Sequence, residues 1–216
     1  LDININDVKQ INAQMDKDEG SVRELSDKLS RVQNAISILE KEFPQKTGLF
    51  HSGIEVEYKK LSDEDFRNDT LIAADKINEL NNRISGFYSE QENLKNSISS
   101  LLPWVRLSVP LSYTGSEHTV YSLFTCPMSV DFEKVKQELK EACPLCEINK
   151  ISSDKELIYI NLLCYKDEYH KAEDILKNYS FKRVYFEKKL NTPEKEIEKA
   201  QSEIEKTIAS VNKLRE

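Results

Sequence analysis

The stretch Leu101–Tyr113, LLPWVRLSVPLSY, decides how the chain is organised. Upstream of it, apolar residues recur in alternating steps of three and four, the spacing of a helix seam of the coiled-coil type. Pro103 removes a backbone donor and disfavours helical geometry at Leu102, so this helix is predicted to end there. Trp104 is predicted to pack where the helix meets a folded body, and it forms a structural junction with Pro103. The seam positions are Ile77, Leu80, Ile84, Phe87, Gln91, Leu94, Ile98 and Leu101.

A first helix is predicted to run from Asp7 to Phe43, because a second apolar seam follows the same spacing. Asp18 interrupts this seam and Gly20, a poor helix former, lies beside it, so we expect a kink or break between residues 16 and 21. In the loop that follows, the alternation over residues 54–58 predicts a short extended segment. The seam residues are Val8, Ile11, Met15, Val22, Leu25, Leu29, Val32, Ile36, Leu39 and Phe43.

The helix that contains the first seam is predicted to begin at Ser62, whose side chain suits an N-cap. A third helix is predicted to begin after Thr192, with Pro193 at its first position as a second structural junction. The chain leaves along one helix, builds a folded body and returns along the other, so we expect the two to be antiparallel. Both repeats are close to 3.5 residues, which predicts a left-handed supercoil. The third seam is Ile197, Ala200, Ile204, Ile208, Val211 and Leu214.

Between these helices, β-rich runs alternate with two amphipathic helices. Strands are predicted at residues 119–125, 147–151, 157–165 and 181–186, with helices at 130–142 and 168–179. The order β-α-β-β-α-β is that of a ferredoxin-like split unit, so we expect an α+β fold in which a long antiparallel coiled-coil stalk carries a ferredoxin-like lobe. The predicted parts are residues 1–61 (first helix and loop), 62–104 (outgoing helix), 105–191 (α/β lobe) and 192–216 (returning helix).

Charge and composition exclude several classes of function. The 216 residues carry a formal net charge of −7, so the long-range field repels phosphates and disfavours nucleic-acid binding. The sequence has no glycine-rich phosphate loop and no nucleophile paired with a base, so we expect no enzyme activity, no cofactor and no small-molecule substrate. No apolar run approaches the roughly 20 residues that a membrane-spanning helix needs.

Four cysteines occur, and we expect them to be reduced thiols, since a chain of this size does not need a disulfide framework. Cys143 and Cys146 have the spacing of half a zinc site, but no second such pair exists, so no metal site is predicted. Centring the predicted hairpin on residues 153–154 places these two cysteines close to Cys164. It places Cys126 at the opposite end of the sheet.

Several short motifs occur in an order and spacing that resemble a known family. The sequence resembles the cytoplasmic N-terminal region of subunit I of archaeal-type and bacterial V-type rotary ATPases, called subunit a in eukaryotes. The resemblance covers almost the whole chain. The residues that carry it are Leu102-Pro103-Trp104, Val109-Pro110-Leu111, Tyr113-Thr114-Gly115, Thr119-Val120, Pro127, the Ser153-Asp154-Lys155 turn and Thr192-Pro193.

This resemblance implies a non-catalytic stator that links the peripheral-stalk subunits E and G to the membrane sector of a proton-translocating ATPase. It implies a soluble fragment at the cytoplasmic face of a membrane complex, with residues 1–61 forming an incomplete proximal lobe. The expected partners are subunits E and G and the chain's own C-terminal membrane domain. The family's opening strand would precede Leu1, so we expect an excised fragment, and no proton-translocating residue is assigned.

For partner contacts, the sequence indicates a basic and aromatic patch on an otherwise acidic protein, at Lys182, Arg183, Tyr185 and Lys188. The alternative for these residues is an ordinary solvated strand face. Two other functions stay open at this point. One is an unrelated coiled-coil scaffold that dimerises through its seams, and the other is a small-molecule-binding regulatory lobe.

Overall fold

The structure, a computed structural model, describes residues 5–44 and 57–216, and for residues 5–19 it describes the backbone alone. These residues form an α+β fold of six helices and one four-stranded antiparallel sheet. None of the described helices combines the length and the hydropathy needed to cross a bilayer. The elements are α1 (Ile5–Glu42), α2 (Tyr58–Ser62), α3 (Glu64–Leu101), a 3-10 turn (Leu102–Trp104), β1 (Thr119–Pro127), α4 (Phe132–Ala142), β2 (Cys146–Ser153), β3 (Leu157–Tyr165), α5 (Lys166–Asn178), β4 (Lys182–Val184) and α6 (Pro193–Arg215).

Two local predictions about the helices are wrong. Of the kink or break expected between residues 16 and 21, the break does not occur, because α1 continues through Gly20 without interruption. Ser62 is the last residue of the short helix α2, and its hydroxyl donates to the Tyr58 carbonyl oxygen at 2.9 Å. Asp63 caps α3 in its place, accepting a hydrogen bond from the Asp65 backbone N–H at 3.0 Å. The extended segment expected at residues 54–58 falls largely outside the described residues.

The chain divides into two compact units, and the first comprises residues 1–87 and 214–216. In this unit α1 and α3 run parallel, because two side-chain contacts one turn apart share an offset of 44 residues. Arg31 forms a salt bridge with Asp75, and the Asn34 side chain donates to the Asn78 Oδ1 atom at 2.8 Å. The Asn78 amide also donates to the Arg31 carbonyl oxygen at 3.0 Å.

The face through which α1 packs in this unit differs from its predicted seam. Ala35 and Ala74 are 3% and 4% exposed, whereas the seam residues Val22 and Leu25 are about two thirds exposed. The polar pairs between α1 and α3 thus lie on the same side of α1 as the buried Ala35. The apolar stripe of α1 is therefore left facing solvent; its exposed members are Val22, Leu25, Leu29, Ile36, Leu39 and Phe43.

The second unit, residues 88–213, contains the sheet in the order β2-β3-β1-β4. β1 pairs with β3 over its whole length, from Thr119 opposite Tyr165 to Pro127 opposite Leu157. The predicted β-α-β-β-α-β order is observed. The last strand is shorter than predicted, since β4 ends at Val184 and the Phe186 ring packs against Trp104 instead.

Each face of this sheet has its own apolar core. The face covered by α4 and α5 buries alternate residues of β1 and β3, including Phe124 and Ile160, together with Leu139 and Leu176 of the helices. The opposite face packs Tyr121, Leu123 and Ile151 around Trp104. Period-two alternation along β1 and β3 accounts for this division.

Helix α6 follows its predicted seam except at one position. Ile197, Ala200 and Val211 are buried, but Ile208 is 46% exposed and Thr207 is 4% exposed in its place. Thr207 satisfies its buried hydroxyl by donating to the Ile204 carbonyl oxygen at 2.8 Å. With Thr207 in the seam, the three–four alternation is unbroken from Ile197 to Leu214.

Candidate functional site

The predicted partner patch lies at the edge of the sheet, on β4 and the segment that follows it. β4 pairs with β1 on one side only, through Lys182 opposite Thr125 and Arg183 opposite Phe124. Lys182 and Lys188 are exposed, and the Tyr185 side chain is 69% exposed. The structure thus places Lys182 and Arg183 on the edge strand with Tyr185 beside Arg183, and Lys188 lies in the exposed segment that follows.

Arg183 organises this patch. Its guanidinium carbon lies 4.9 Å from the centroid of the Tyr185 ring and 5.6 Å from that of Tyr169. Cations held against aromatic faces in this way are stabilised by the ring quadrupole. Tyr169 is buried and its hydroxyl lies 3.2 Å from that of Ser122, so the Tyr169 ring is held in place within the core of the domain. Tyrosine and arginine are among the residue types that are enriched at protein–protein interfaces.

The first structural junction, at Pro103 and Trp104, is part of the core of the second unit. Trp104 is 2% exposed and meets Tyr159 and Phe186 edge to face, with ring centroids 5.3 and 5.8 Å apart. The Pro103 carbonyl oxygen accepts a hydrogen bond from Ser152 at 2.6 Å. The end of α3 is therefore attached to the sheet by both an aromatic anchor and a hydrogen bond.

The second junction, at Pro193, is completed by a carboxylate that the sequence did not indicate. Glu196, 6% exposed, accepts hydrogen bonds from the backbone N–H and the side-chain amide of Asn191 at 3.1 and 2.8 Å. Its other oxygen lies 3.9 Å from the Lys189 ammonium, which donates to the Ser97 hydroxyl at 2.9 Å. Desolvation raises the pKa of Glu196, but these donors and cations outweigh it and the pKa is lowered.

The cysteines lie where the sequence predicted, but not all are free thiols. Cys146 and Cys164 are directly opposite each other on β2 and β3 and form a disulfide, which corrects the expectation of reduced thiols. Cys126 lies at the other end of β1, opposite Ile158, and burial raises its pKa to about 11. Burial also raises the pKa of Cys143, although the charge of Lys171 opposes that shift.

A third group near the disulfide was missed at the sequence level. The Glu168 carboxylate on α5 lies 3.8 Å from the Cys146 sulfur and accepts a hydrogen bond from the Leu145 backbone N–H at 3.0 Å. Together with Cys143, these residues place three potential metal ligands within 4.8 Å of one another. Sequence spacing alone gave no signal, because Glu168 is 22 residues from Cys146 and on a different element.

No protein-family model matches the sequence, and no curated protein matches it. Among solved structures, the chain is similar to the crystal structure of the cytoplasmic N-terminal domain of subunit I, homolog of subunit a, of V-ATPase. The similarity has a TM-score of 0.49 at 11% sequence identity and covers 89% of this chain. The chain spans 62% of the length of that structure.

Proposed function

We propose that this chain is a non-catalytic stator component of a rotary proton-translocating ATPase, at the cytoplasmic face of the membrane complex. In this proposal residues 105–191 form a ferredoxin-like lobe that binds the peripheral-stalk subunits E and G. Residues 62–104 and 192–216 are the outgoing and returning helices of a stalk that leads to the membrane sector, and residues 1–61 belong to its proximal end. The ordered series of motifs around Pro103, Trp104 and Pro193 supports this assignment.

The observation that carries the proposal is that two long helices are anchored next to each other on one sheet domain. The end of α3 is held by Trp104 in the core, and the start of α6 is held by Glu196. Lys189 connects the two anchors through its contacts with Ser97 and Glu196. A domain attached through buried contacts at both helix ends transmits force without rotating about a single flexible linker.

The directions of the helices support a stalk that leaves the lobe and returns to it. The segment preceding α6 contacts Ser97, near the C-terminal end of α3. In the first unit, Leu214 and Arg215 line a pocket with Leu80 and Ile84, which are further back along α3. An antiparallel pair of this kind resists bending, because bending disrupts the packing along the whole seam.

The lobe would contact its partners through the patch Lys182, Arg183, Tyr185 and Lys188. We expect calorimetry to detect saturable binding between the chain and a purified heterodimer of subunits E and G. Lys182→Glu combined with Arg183→Glu should weaken this binding at least about tenfold, or 1.4 kcal/mol. The matched control is Lys136→Glu with Lys140→Glu, the same charge change on exposed positions of α4. This pair should leave the affinity unchanged.

Two results would count against these assignments. If both charge-reversed proteins bind as tightly as the parent, the β4 edge is not the contact surface. If a folded chain, verified by circular dichroism, does not bind the heterodimer at all, the stator function fails. The partnership with a C-terminal membrane domain is tested separately, by crosslinking within the full-length subunit.

The exposed apolar stripe of α1 specifically favours a second candidate, a coiled-coil scaffold that dimerises through this helix. A stripe that continues over several turns is larger than the scattered apolar residues that monomers usually expose. Sedimentation would then show a dimer, and Leu25→Glu with Leu29→Glu would convert it to a monomer. A monomer that sediments unchanged at high micromolar concentration excludes the scaffold and leaves the stripe available to a different partner.

A further inference from the structure

Three metal-ligating side chains of two kinds meet at the end of the sheet where β2 begins. The ligand atoms of Cys143, Cys146 and Glu168 all lie within 4.8 Å of one another. Zinc binds thiolate sulfur at about 2.3 Å and carboxylate oxygen at about 2.0–2.2 Å, so tetrahedral ligands lie about 3.5–3.8 Å apart. The distance of 3.8 Å between the Cys146 sulfur and the Glu168 Oε2 atom already has this value.

The local structure holds these ligands in place. Cys143 ends α4, and the turn Cys143-Pro-Leu-Cys146 is closed by the Cys146 N–H, which donates to the Cys143 carbonyl oxygen at 3.0 Å. Glu168 lies in the first turn of α5. Its carboxylate accepts a hydrogen bond from the N–H of Leu145, which belongs to the Cys143–Cys146 turn. Hydrogen bonds of this kind to a ligating carboxylate orient metal ligands in proteins.

The ligand chemistry favours zinc over the other common divalent cations. Two thiolates and one carboxylate suit a borderline-soft ion, whereas Ca²⁺ and Mg²⁺ require oxygen ligands. Cys143 is fully buried, while Cys146 and Glu168 are half-buried. The exposed side of the cluster leaves a fourth tetrahedral position open to water.

The oxidation state of Cys146 controls whether this site exists, because its sulfur is bonded to Cys164 in the structure. We propose that the reduced chain binds one Zn²⁺ through the Cys143 and Cys146 thiolates, the Glu168 carboxylate and a water molecule, and that the Cys146–Cys164 disulfide abolishes this site. Reduction by a thiol transfers two electrons and two protons to the disulfide, giving two cysteine thiols and an oxidised thiol pair. Zinc then displaces one proton each from Cys143 and Cys146.

The test uses Co²⁺ as a spectroscopic substitute for zinc, because bound thiolates give a charge-transfer band in the near ultraviolet. The chain is reduced with a phosphine, which becomes a phosphine oxide by taking oxygen from water. The reduced protein should bind one equivalent of Co²⁺ with this band, and one equivalent of Zn²⁺ should displace it. The oxidised protein should give no band. Cys164→Ala, which removes the disulfide and retains all three ligands, should bind without reductant.

Substitutions distinguish this site from general thiol binding. Changes to outer-shell residues of metal sites cost about 10–100-fold in affinity, so loss of a direct ligand in Cys143→Ala or Glu168→Gln should cost at least about 100-fold. Cys126→Ala is the matched control, because this buried cysteine is at the other end of the sheet. The proposal is overturned if the reduced parent gives no thiolate band. It is also overturned if Cys143→Ala binds as tightly as Cys126→Ala. Neither result bears on binding to subunits E and G.

Discussion

Replacing Trp104 with alanine tests how strongly the end of α3 is attached to the sheet domain. The side chain is 2% exposed and meets two aromatic rings edge to face. Large-to-small substitutions of buried aromatic residues cost about 3–5 kcal/mol, and each aromatic pair contributes about 0.5–1.5 kcal/mol beyond the buried area. We expect a loss in the upper part of that range, which is a large fraction of the 5–15 kcal/mol that typically stabilises a domain.

The free energy of unfolding should be measured by urea denaturation with far-ultraviolet circular dichroism, since the variant lacks the chain's single tryptophan. Fluorescence of the parent should report the same midpoint, which checks that the unit unfolds in one step. Tyr88→Ala is the control, because this aromatic residue is on α3 in the same unit and is 44% exposed. It should change stability by less than about 0.5 kcal/mol. A loss below about 1 kcal/mol for Trp104→Ala would refute the anchoring function of the indole.

Two other predictions concern the helices. Ile84→Asp replaces a half-buried side chain next to Leu80 and Leu214 with a charge, and thermal or urea unfolding should show a loss of stability of about 2–4 kcal/mol. The control is Ile72→Asp, at a position 66% exposed on the same helix, which should have little effect. Equal losses for the two variants would contradict the packing of Ile84 against Leu80 and Leu214. The pKa of Glu196 is lowered from 4.5, so its stabilising contribution is complete above that pH and is lost as the pH falls through the folded-state pKa. The difference in Tm between the parent and Glu196→Gln should therefore shrink as the pH falls from about 5 to about 3, and a difference that stays constant over this range would contradict an ionised Glu196.

The sheet domain was largely predictable because its elements are short and its turns have specific chemistry. Asp154 accepts hydrogen bonds from the backbone N–H groups of Glu156 and Leu157, both at 2.8 Å, and so closes the hairpin where the sequence indicated. Once that turn is fixed, period-two alternation sets the approximate register along the hairpin, although a bulge between Lys150 and Ser152 shifts the β2–β3 pairing by one residue. This pairing places Cys146 beside Cys164 at one end of the sheet and Cys126 at the other end, as the sequence predicted.

The helix faces were less predictable, because an apolar repeat does not say which partner covers it. In α6, Thr207 and not Ile208 keeps the three–four alternation, and its buried hydroxyl is satisfied by the Ile204 carbonyl oxygen. In α1, Ala35 is buried and Arg31 and Asn34 form exposed polar pairs with α3, whereas the longer apolar stripe is left uncovered. Glu168 and Glu196 could not be identified for a related reason: each acquires its function from groups on other elements or loops, which sequence spacing does not encode.

A polar junction at the start of α6 has a consequence that an apolar one would lack. Buried ion pairs contribute little net stability compared with apolar residues of similar volume, but they penalise every arrangement in which one partner is left alone. If α6 slid by one residue along α3, the segment that precedes it would move as well, and Lys189 would lose its hydrogen bond to Ser97 on α3. The junction therefore fixes one register between the two helices, whereas a purely apolar seam tolerates slippage. In the proposed function, this fixed register is what a stator under torque requires.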